Sequence, residues 1–129
     1  MEAAQGQQKL VQSRVMRVKS EESWNYFMTQ SKTEGCPVAI HFAAEWCHPS
    51  VVMNPVFEEV AKNYEDILFL MVDVDEVRAV AKKMEVKAMP TFLMMKQGGG
   101  EVVDKVVGAN AEEIRKRIDY FSQSIRSSK

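Results

Sequence analysis

Trp46-Cys47-His48-Pro49-Ser50 is the stretch that decides the fold, because it places a cysteine between a short apolar run and a helical pattern. Residues 38–43 read Val-Ala-Ile-His-Phe-Ala, which predicts a strand buried on both faces of a sheet. From residue 49 to residue 64 the valines at positions 52, 56 and 60 recur at helical spacing. Cys47 is therefore predicted to lie where a buried strand ends and a helix begins.

A cysteine at the N-terminus of a helix has unpaired backbone N–H groups and the positive end of the helix dipole beside it. Both favour the thiolate, which is the species that attacks disulfides. Pro49 suits the first helical turn, because it has no N–H to leave unsatisfied and it fixes the backbone beside the sulfur. The imidazole of His48 would lie next to the sulfur. The pattern predicts that Cys47 is a nucleophile.

The elements on either side alternate between the two periodicities. Residues 14–18, 38–43 and 67–74 are predicted strands, each followed by a helical pattern, and this order implies parallel strands with crossover helices. The ending differs, because residues 91–96 and 102–107 flank three consecutive glycines that allow a tight antiparallel hairpin. Asn110, with Glu113 three residues later, predicts the capped start of a last helix. The predicted order is βαβαβαββα, an α/β fold.

The bulk composition favours one domain without an extended charged surface. The 129 residues are 46% hydrophobic, and 17 basic residues balance 18 acidic ones. We expect a flexible leader at residues 1–10, one domain at residues 11–125 and a flexible tail at residues 126–129. Neither nucleic acid nor a membrane is an expected partner. The polar N-terminus has no secretory pattern, so we expect a cytoplasmic protein, and we expect it to be a monomer.

The residues around Cys47 resemble the thioredoxin superfamily, whose dithiol members carry Trp-Cys-Gly-Pro-Cys at this junction. The resemblance extends over residues 14–121 and includes the in-helix Pro55, the Val-Asp-Val-Asp stretch at residues 72–75 and Met89-Pro90-Thr91. The sequence is most similar to the h-type thioredoxins of plants and to their Cys-X-X-Ser relatives. The resemblance implies a thioredoxin fold, with a mixed five-stranded sheet flanked by four helices. It also implies a cis bond before Pro90 and a flat substrate surface that comprises Trp46, His48, Pro49, Met89, Pro90, Gly108 and Ala109.

Ser50 stands where a dithiol thioredoxin has its second cysteine. A hydroxyl cannot attack a mixed disulfide, although it can donate a hydrogen bond to the Cys47 thiolate. The first attack should therefore survive while internal resolution is lost. An external thiol would complete the reaction, either glutathione, alone or through a glutaredoxin system, or a second thiol of the client. This predicts a monothiol oxidoreductase or disulfide isomerase that acts on disulfide-containing or glutathionylated clients, with glutathione as co-substrate and no other cofactor.

Two further substitutions point in the same direction. His41 lies where the dithiol family generally has a buried aspartate, and Met71 replaces the lysine that usually accompanies it. We interpret His41 as a core histidine with satisfied hydrogen bonds, and Asp73 and Asp75 as solvated charges at a strand end.

Cys36 is expected to have no catalytic role. Together with His41, Cys47 and His48 it matches no common zinc spacing, so no metal site is predicted.

Two other functions remain open from the sequence. Without a second active-site cysteine, the chain could be a client-binding module or chaperone that uses Trp46, Met89 and Pro90. It could also form a glutathione-ligated iron–sulfur dimer through Cys47, although Pro49 resembles thioredoxin rather than the monothiol glutaredoxins.

Overall fold

The structure is a computed structural model and describes residues 13–127. It has five strands and four α-helices in the predicted βαβαβαββα order, so this prediction is confirmed. The elements are β1 (Val15–Val18), α1 (Glu21–Glu34), β2 (Val38–Ala43), α2 (His48–Ala61), β3 (Leu68–Asp73), α3 (Arg78–Lys83), β4 (Thr91–Met95), β5 (Val102–Val107) and α4 (Ala111–Ser127).

The sheet has the strand order β1-β3-β2-β4-β5, so β2 lies at its centre. β3 is parallel to both β1 and β2, whereas β4 is antiparallel to β2 and to β5. Ile40 of β2 faces Leu70 on one neighbouring strand and Leu93 on the other. Every residue of β2 is buried, as the apolar run at residues 38–43 predicted.

Helices cover both faces of the sheet and enclose two hydrophobic clusters. Side chains of α2 and α4, such as Phe57 and Ile118, pack with Phe92 on one face. Trp24 of α1 and Val80 of α3 pack on the other. Alternate residues of each strand contribute to opposite clusters, which is why the central strand must be apolar along its whole length.

Local sequence signals set the ends of α1. Ser20 is the N-cap, and its side chain accepts a hydrogen bond from the Ser23 backbone N–H while the Ser23 hydroxyl accepts one from the Ser20 N–H. Gly35 ends the helix with a left-handed φ of 70°. The local sequence therefore defines both ends of this helix.

The hairpin between β4 and β5 is wider than the predicted tight turn. A short 3₁₀ turn at Gln97–Gly99 precedes Gly100, and of these three glycines Gly98 and Gly99 have positive φ, both 71°. The pairing register also shifts between Met94 and Met95, which leaves an extra residue on β5. The glycines serve the turn as predicted, and the bulge lies within the paired strands beside it.

The last helix extends beyond the predicted domain end at residue 125. Ile118 and Phe121 are buried, Ile125 continues their apolar stripe, and Arg126 pairs with Asp66 at 3.6 Å. These contacts keep the chain helical to Ser127, two residues beyond the predicted domain end. The expected flexibility of residues 126–129 stays a prediction. The predicted leader at residues 1–10 and the last two residues of the expected tail lie outside the described part of the chain.

Candidate active site

Cys47 is the N-cap residue of α2, at the edge of the sheet where β2 ends. Its backbone is extended (φ −103°, ψ 101°), and its carbonyl accepts hydrogen bonds from the N–H groups of Ser50 and Val51. Its side chain takes no part in the cap and is half-buried. Pro49 lies in the first helical turn, as predicted. The sulfur thus stands at the positive end of a 14-residue helix.

The loop before β4 faces the sulfur. The Cys47 thiol donates to the Met89 carbonyl oxygen at 3.4 Å, and the Met89–Pro90 peptide bond is cis, as the resemblance implied. The Pro90 carbonyl in turn accepts from the Gly108 N–H at 2.9 Å. Gly108 has a φ of 114°, and a Cβ there would meet no atom within 4 Å, so the space above it is open to a substrate. Met89, Pro90 and Gly108 therefore lie together opposite Cys47.

The surface around the sulfur is exposed and partly apolar. Trp46 is 68% exposed, His48, Pro49 and Ala109 are also exposed, and Met89 is half-buried. The Trp46 indole N–H donates to a carboxylate oxygen of Asp75 at 2.6 Å, which fixes the ring beside the cysteine. The interpretation of Asp75 as a solvated strand-end charge omits this contact. The carboxyl ends of parallel β2 and β3 meet at one edge of the sheet, and that topology could have identified this contact.

Asp73 differs from the predicted solvated charge. It is 7% exposed, and its carboxylate accepts hydrogen bonds from the backbone N–H groups of Asp75 and Glu76 at 2.9 and 3.3 Å. Arg17 lies 3.7 Å away. Asp73 therefore shapes the turn that presents Asp75, because the buried charge is compensated by these donors.

Ser50 is fully buried, and its hydroxyl oxygen accepts a hydrogen bond from the Ala44 N–H at 3.0 Å. The predicted bond from this hydroxyl to the Cys47 sulfur does not occur in the structure of residues 13–127. Ala44 directly follows β2, so its N–H lacks a ladder partner, and Ser50 satisfies it from one turn inside α2. The hydroxyl proton is not used in this bond.

His41 is completely buried and stacks on Phe92, with 4.6 Å between the ring centroids. Its position in the core is as predicted. The prediction of satisfied hydrogen bonds is wrong, because neither ring nitrogen has a partner within residues 13–127. Burial lowers the pKa of His41 to about 4, so the ring is neutral at neutral pH. His41 and Met71 both line a cleft of about 240 Å³, where Arg17, Asn54 and Glu58 supply the polar wall.

Cys36 lies just before β2, whereas Cys47 follows its other end. Six strand residues at about 3.3 Å each separate the two cysteines by roughly 20 Å. A disulfide requires Cα atoms within about 7 Å of each other. In this fold Cys36 therefore cannot resolve a disulfide on Cys47. This agrees with the expectation that Cys36 has no catalytic role.

The described residues include no cluster of three or more His, Cys, Asp or Glu side chains suited to a metal ion. Among them there is also no helix with the length and apolar character needed to cross a bilayer.

A mixed sheet flanked by helices, with a cis-proline loop facing a cysteine at a helix N-terminus, defines a protein of the thioredoxin fold. The thioredoxin family model matches residues 15–120, and the chain belongs to the thioredoxin family.

Two similar relatives are proteins described as "Thioredoxin-like protein CXXS1". The Arabidopsis thaliana protein is 57% identical over 88% of this chain and 95% of its own, and the Oryza sativa subsp. japonica protein is 50% identical over 87% and 83%. A crystal structure of a poplar thioredoxin h mutant superposes with a TM-score of 0.81 at 35% identity, covering 87% of this chain and 85% of that one. Members of the family are thiol–disulfide oxidoreductases that act on disulfide-containing client proteins, and the redox role extends to this chain.

Proposed function

We propose that this protein is a monothiol thiol–disulfide oxidoreductase or disulfide isomerase that attacks through Cys47 and depends on an external thiol. The observation that carries the proposal is the surroundings of the sulfur. It lies at the start of α2 and 3.4 Å from the Met89 carbonyl oxygen, and Ser50, which cannot resolve a mixed disulfide, occupies the position of the second cysteine of a dithiol thioredoxin. Cys36 is at the far end of β2.

With a glutathionylated client, the Cys47 thiolate attacks the glutathione sulfur of the mixed disulfide. A bond forms between Cys47 and glutathione, the original S–S bond breaks, and the client leaves as a thiolate with the electron pair. A second glutathione thiolate then attacks the sulfur that Cys47 carries. Oxidised glutathione is released, and the Cys47 thiolate is restored. Each turnover thus consumes one free glutathione, and the glutathione removed from the client becomes the other half of the oxidised glutathione.

With an intramolecular client disulfide, attack by Cys47 joins it to one client sulfur and frees the other as a thiolate. A different client thiol then attacks the mixed disulfide, forms a new client disulfide and returns Cys47 as the leaving thiolate. The number of disulfides is unchanged, so this sequence is an isomerisation.

Because the Ser50 hydroxyl proton is not used in the bond with Ala44, it can be directed to the Cys47 sulfur when that sulfur is charged.

The same proposal includes the cellular setting. We place the protein in the cytoplasm as a monomer, with glutathione or a glutaredoxin system as reductant. No bound cofactor takes part in either sequence, and neither nucleic acid nor a membrane is a partner.

The test is turnover of a glutathionylated peptide in an assay coupled to glutathione reductase. Cys47→Ser should abolish turnover, because no other thiol lies at the site. Cys36→Ser is the matched control, since it removes the other half-buried cysteine, and it should retain wild-type turnover. Turnover by Cys47→Ser, or its loss in Cys36→Ser alone, would contradict the proposal.

A client-binding module is the second candidate, favoured by the exposed ring of Trp46, which directly precedes the cysteine that contacts Met89. This activity would suppress aggregation of an unfolded client equally well in wild type and in Cys47→Ser. Suppression that is lost in Cys47→Ser would exclude a purely non-covalent role.

A further inference from the structure

A groove of about 360 Å³ extends from the loop before β4, at Met89, along α3. Val74, Val86 and Met89 supply apolar lining, and Met89 is also the residue whose carbonyl lies 3.4 Å from the Cys47 sulfur. The groove therefore adjoins the site of attack through Met89. We call it the α3 groove.

The polar lining of the α3 groove is mainly positive. Arg78, Lys82 and Lys87 line it, against the single carboxylate of Glu85. All three cations are exposed, and none forms an ion pair with another side chain in residues 13–127.

Arginines elsewhere in the fold have acidic partners. Arg17 pairs with Glu76 at 3.1 Å, and Arg117 pairs with Glu113 at 2.7 Å. In a chain with a net charge of −1, the unpaired cations of the α3 groove therefore form a local positive surface beside the sulfur.

The backbone at the entrance of the groove suits an extended peptide. Within the described residues, the Met89 N–H has no hydrogen-bond acceptor. The Met89 carbonyl is engaged only by the Cys47 thiol, and that donor disappears when the thiol becomes a thiolate. Met89 can then offer both an N–H and a carbonyl to a client strand, as in β-strand addition.

We propose that the α3 groove binds an extended client segment whose acidic side chains lie next to its disulfide-bonded cysteine. An extended chain advances about 3.3 Å per residue, and the six-residue helix α3 is about 9 Å long. Acidic residues one to four positions from the client cysteine therefore match the length of α3, which carries Arg78 and Lys82. This inference rests on the proposed attack by Cys47 and identifies the class of client.

The experiment compares two seven-residue peptides with a central cysteine activated as a disulfide with thionitrobenzoate. One peptide carries Glu on both sides of the cysteine, and the other carries Lys at the same positions. Attack by Cys47 on the peptide sulfur releases the coloured thiolate, so the second-order rate constant is read directly. At low salt we expect the acidic peptide to react about 10-fold faster, with the ratio falling towards 1 in about 1 M salt.

The triple variant Arg78→Gln, Lys82→Gln, Lys87→Gln should lower the ratio to about 1–2 at low salt. The control is Lys62→Gln, Lys105→Gln, Lys116→Gln, which removes the same charge from other exposed positions and should keep the wild-type ratio.

Equal rates for the two peptides in wild type, or an unchanged ratio in the groove variant, would overturn this inference and leave the proposed function intact. Absence of reaction with either peptide would contradict the proposed function itself.

Discussion

Replacement of His41 by leucine should make the protein more resistant to mild acid. His41 is completely buried, its ring nitrogens have no partner in the described structure, and burial lowers its pKa from 6.5 to about 4. The unfolded chain therefore binds a proton on this ring at pH 5, whereas the folded chain does not. Because the folded pKa is the lower one, this contribution to stability is complete above pH 6.5 and is lost as the pH falls towards 4.

The two pKa values give the magnitude. Between pH 7.5 and pH 5 they predict a loss of about 2 kcal/mol in the free energy of unfolding, and below pH 4 a total loss of about 3 kcal/mol. Leucine has a similar size and cannot be protonated, so this part of the pH dependence should vanish. Removal of two unsatisfied polar atoms should also leave the stability at pH 7.5 unchanged or raise it by about 1 kcal/mol.

Urea unfolding followed by the fluorescence of the buried Trp24 provides the assay. The wild-type midpoint should fall by roughly 1 M more than that of His41→Leu between pH 7.5 and pH 5, given a typical dependence on urea. The exposed His48 is the control, and His48→Gln should behave like wild type. Other titrating groups are common to all three proteins and cancel. An equal fall in wild type and His41→Leu would refute the reasoning.

Three further substitutions test the site and its scaffold. Ser50→Cys should form an internal disulfide with Cys47, since the two positions are three residues apart on one helix, and should become reducible by thioredoxin reductase, whereas wild type should not. Asp75→Ala should free the Trp46 ring and slow attack on a model disulfide a few-fold, while the free energy of unfolding changes by less than about 0.5 kcal/mol. Ser31→Ala should lower that free energy by about 1–3 kcal/mol in urea titrations, because the buried hydroxyl bonds two backbone groups. Three free thiols in Ser50→Cys after oxidation, an unchanged rate in Asp75→Ala, or an unchanged urea midpoint in Ser31→Ala would each contradict its prediction.

The strands and the position of Cys47 could be predicted because their signals are local. The apolar run at residues 38–43 is buried on both faces, and Gly35 takes the left-handed conformation that ends α1. The cysteine at the start of α2 follows from an apolar run, a proline and helical spacing, which all lie within some twenty residues of one another. At these positions the conformation that the local sequence prefers is also the one that the whole fold requires.

The contacts that the sequence did not reveal join residues distant along the chain. Trp46 and Asp75 are 29 residues apart and meet only because parallel strands end at the same edge. Ser50 is bound to Ala44 because β2 stops at Ala43, a boundary that local pattern places only approximately. The unpartnered nitrogens of His41 depend on which side chains α2 places over the sheet. These are consequences of packing, which periodicity does not specify.

The account depends on Cys47 being able to begin thiol exchange and unable to finish it alone. Mass spectrometry after treatment of the reduced protein with oxidised glutathione tests this most directly. The Cys47 thiolate attacks one glutathione sulfur, keeps that half as a mixed disulfide and releases the other half as a thiolate. We predict a single glutathione adduct, located on Cys47, that persists until reduced glutathione is added and then disappears. Rapid conversion to a disulfide between Cys36 and Cys47, or an adduct confined to Cys36, would contradict the account.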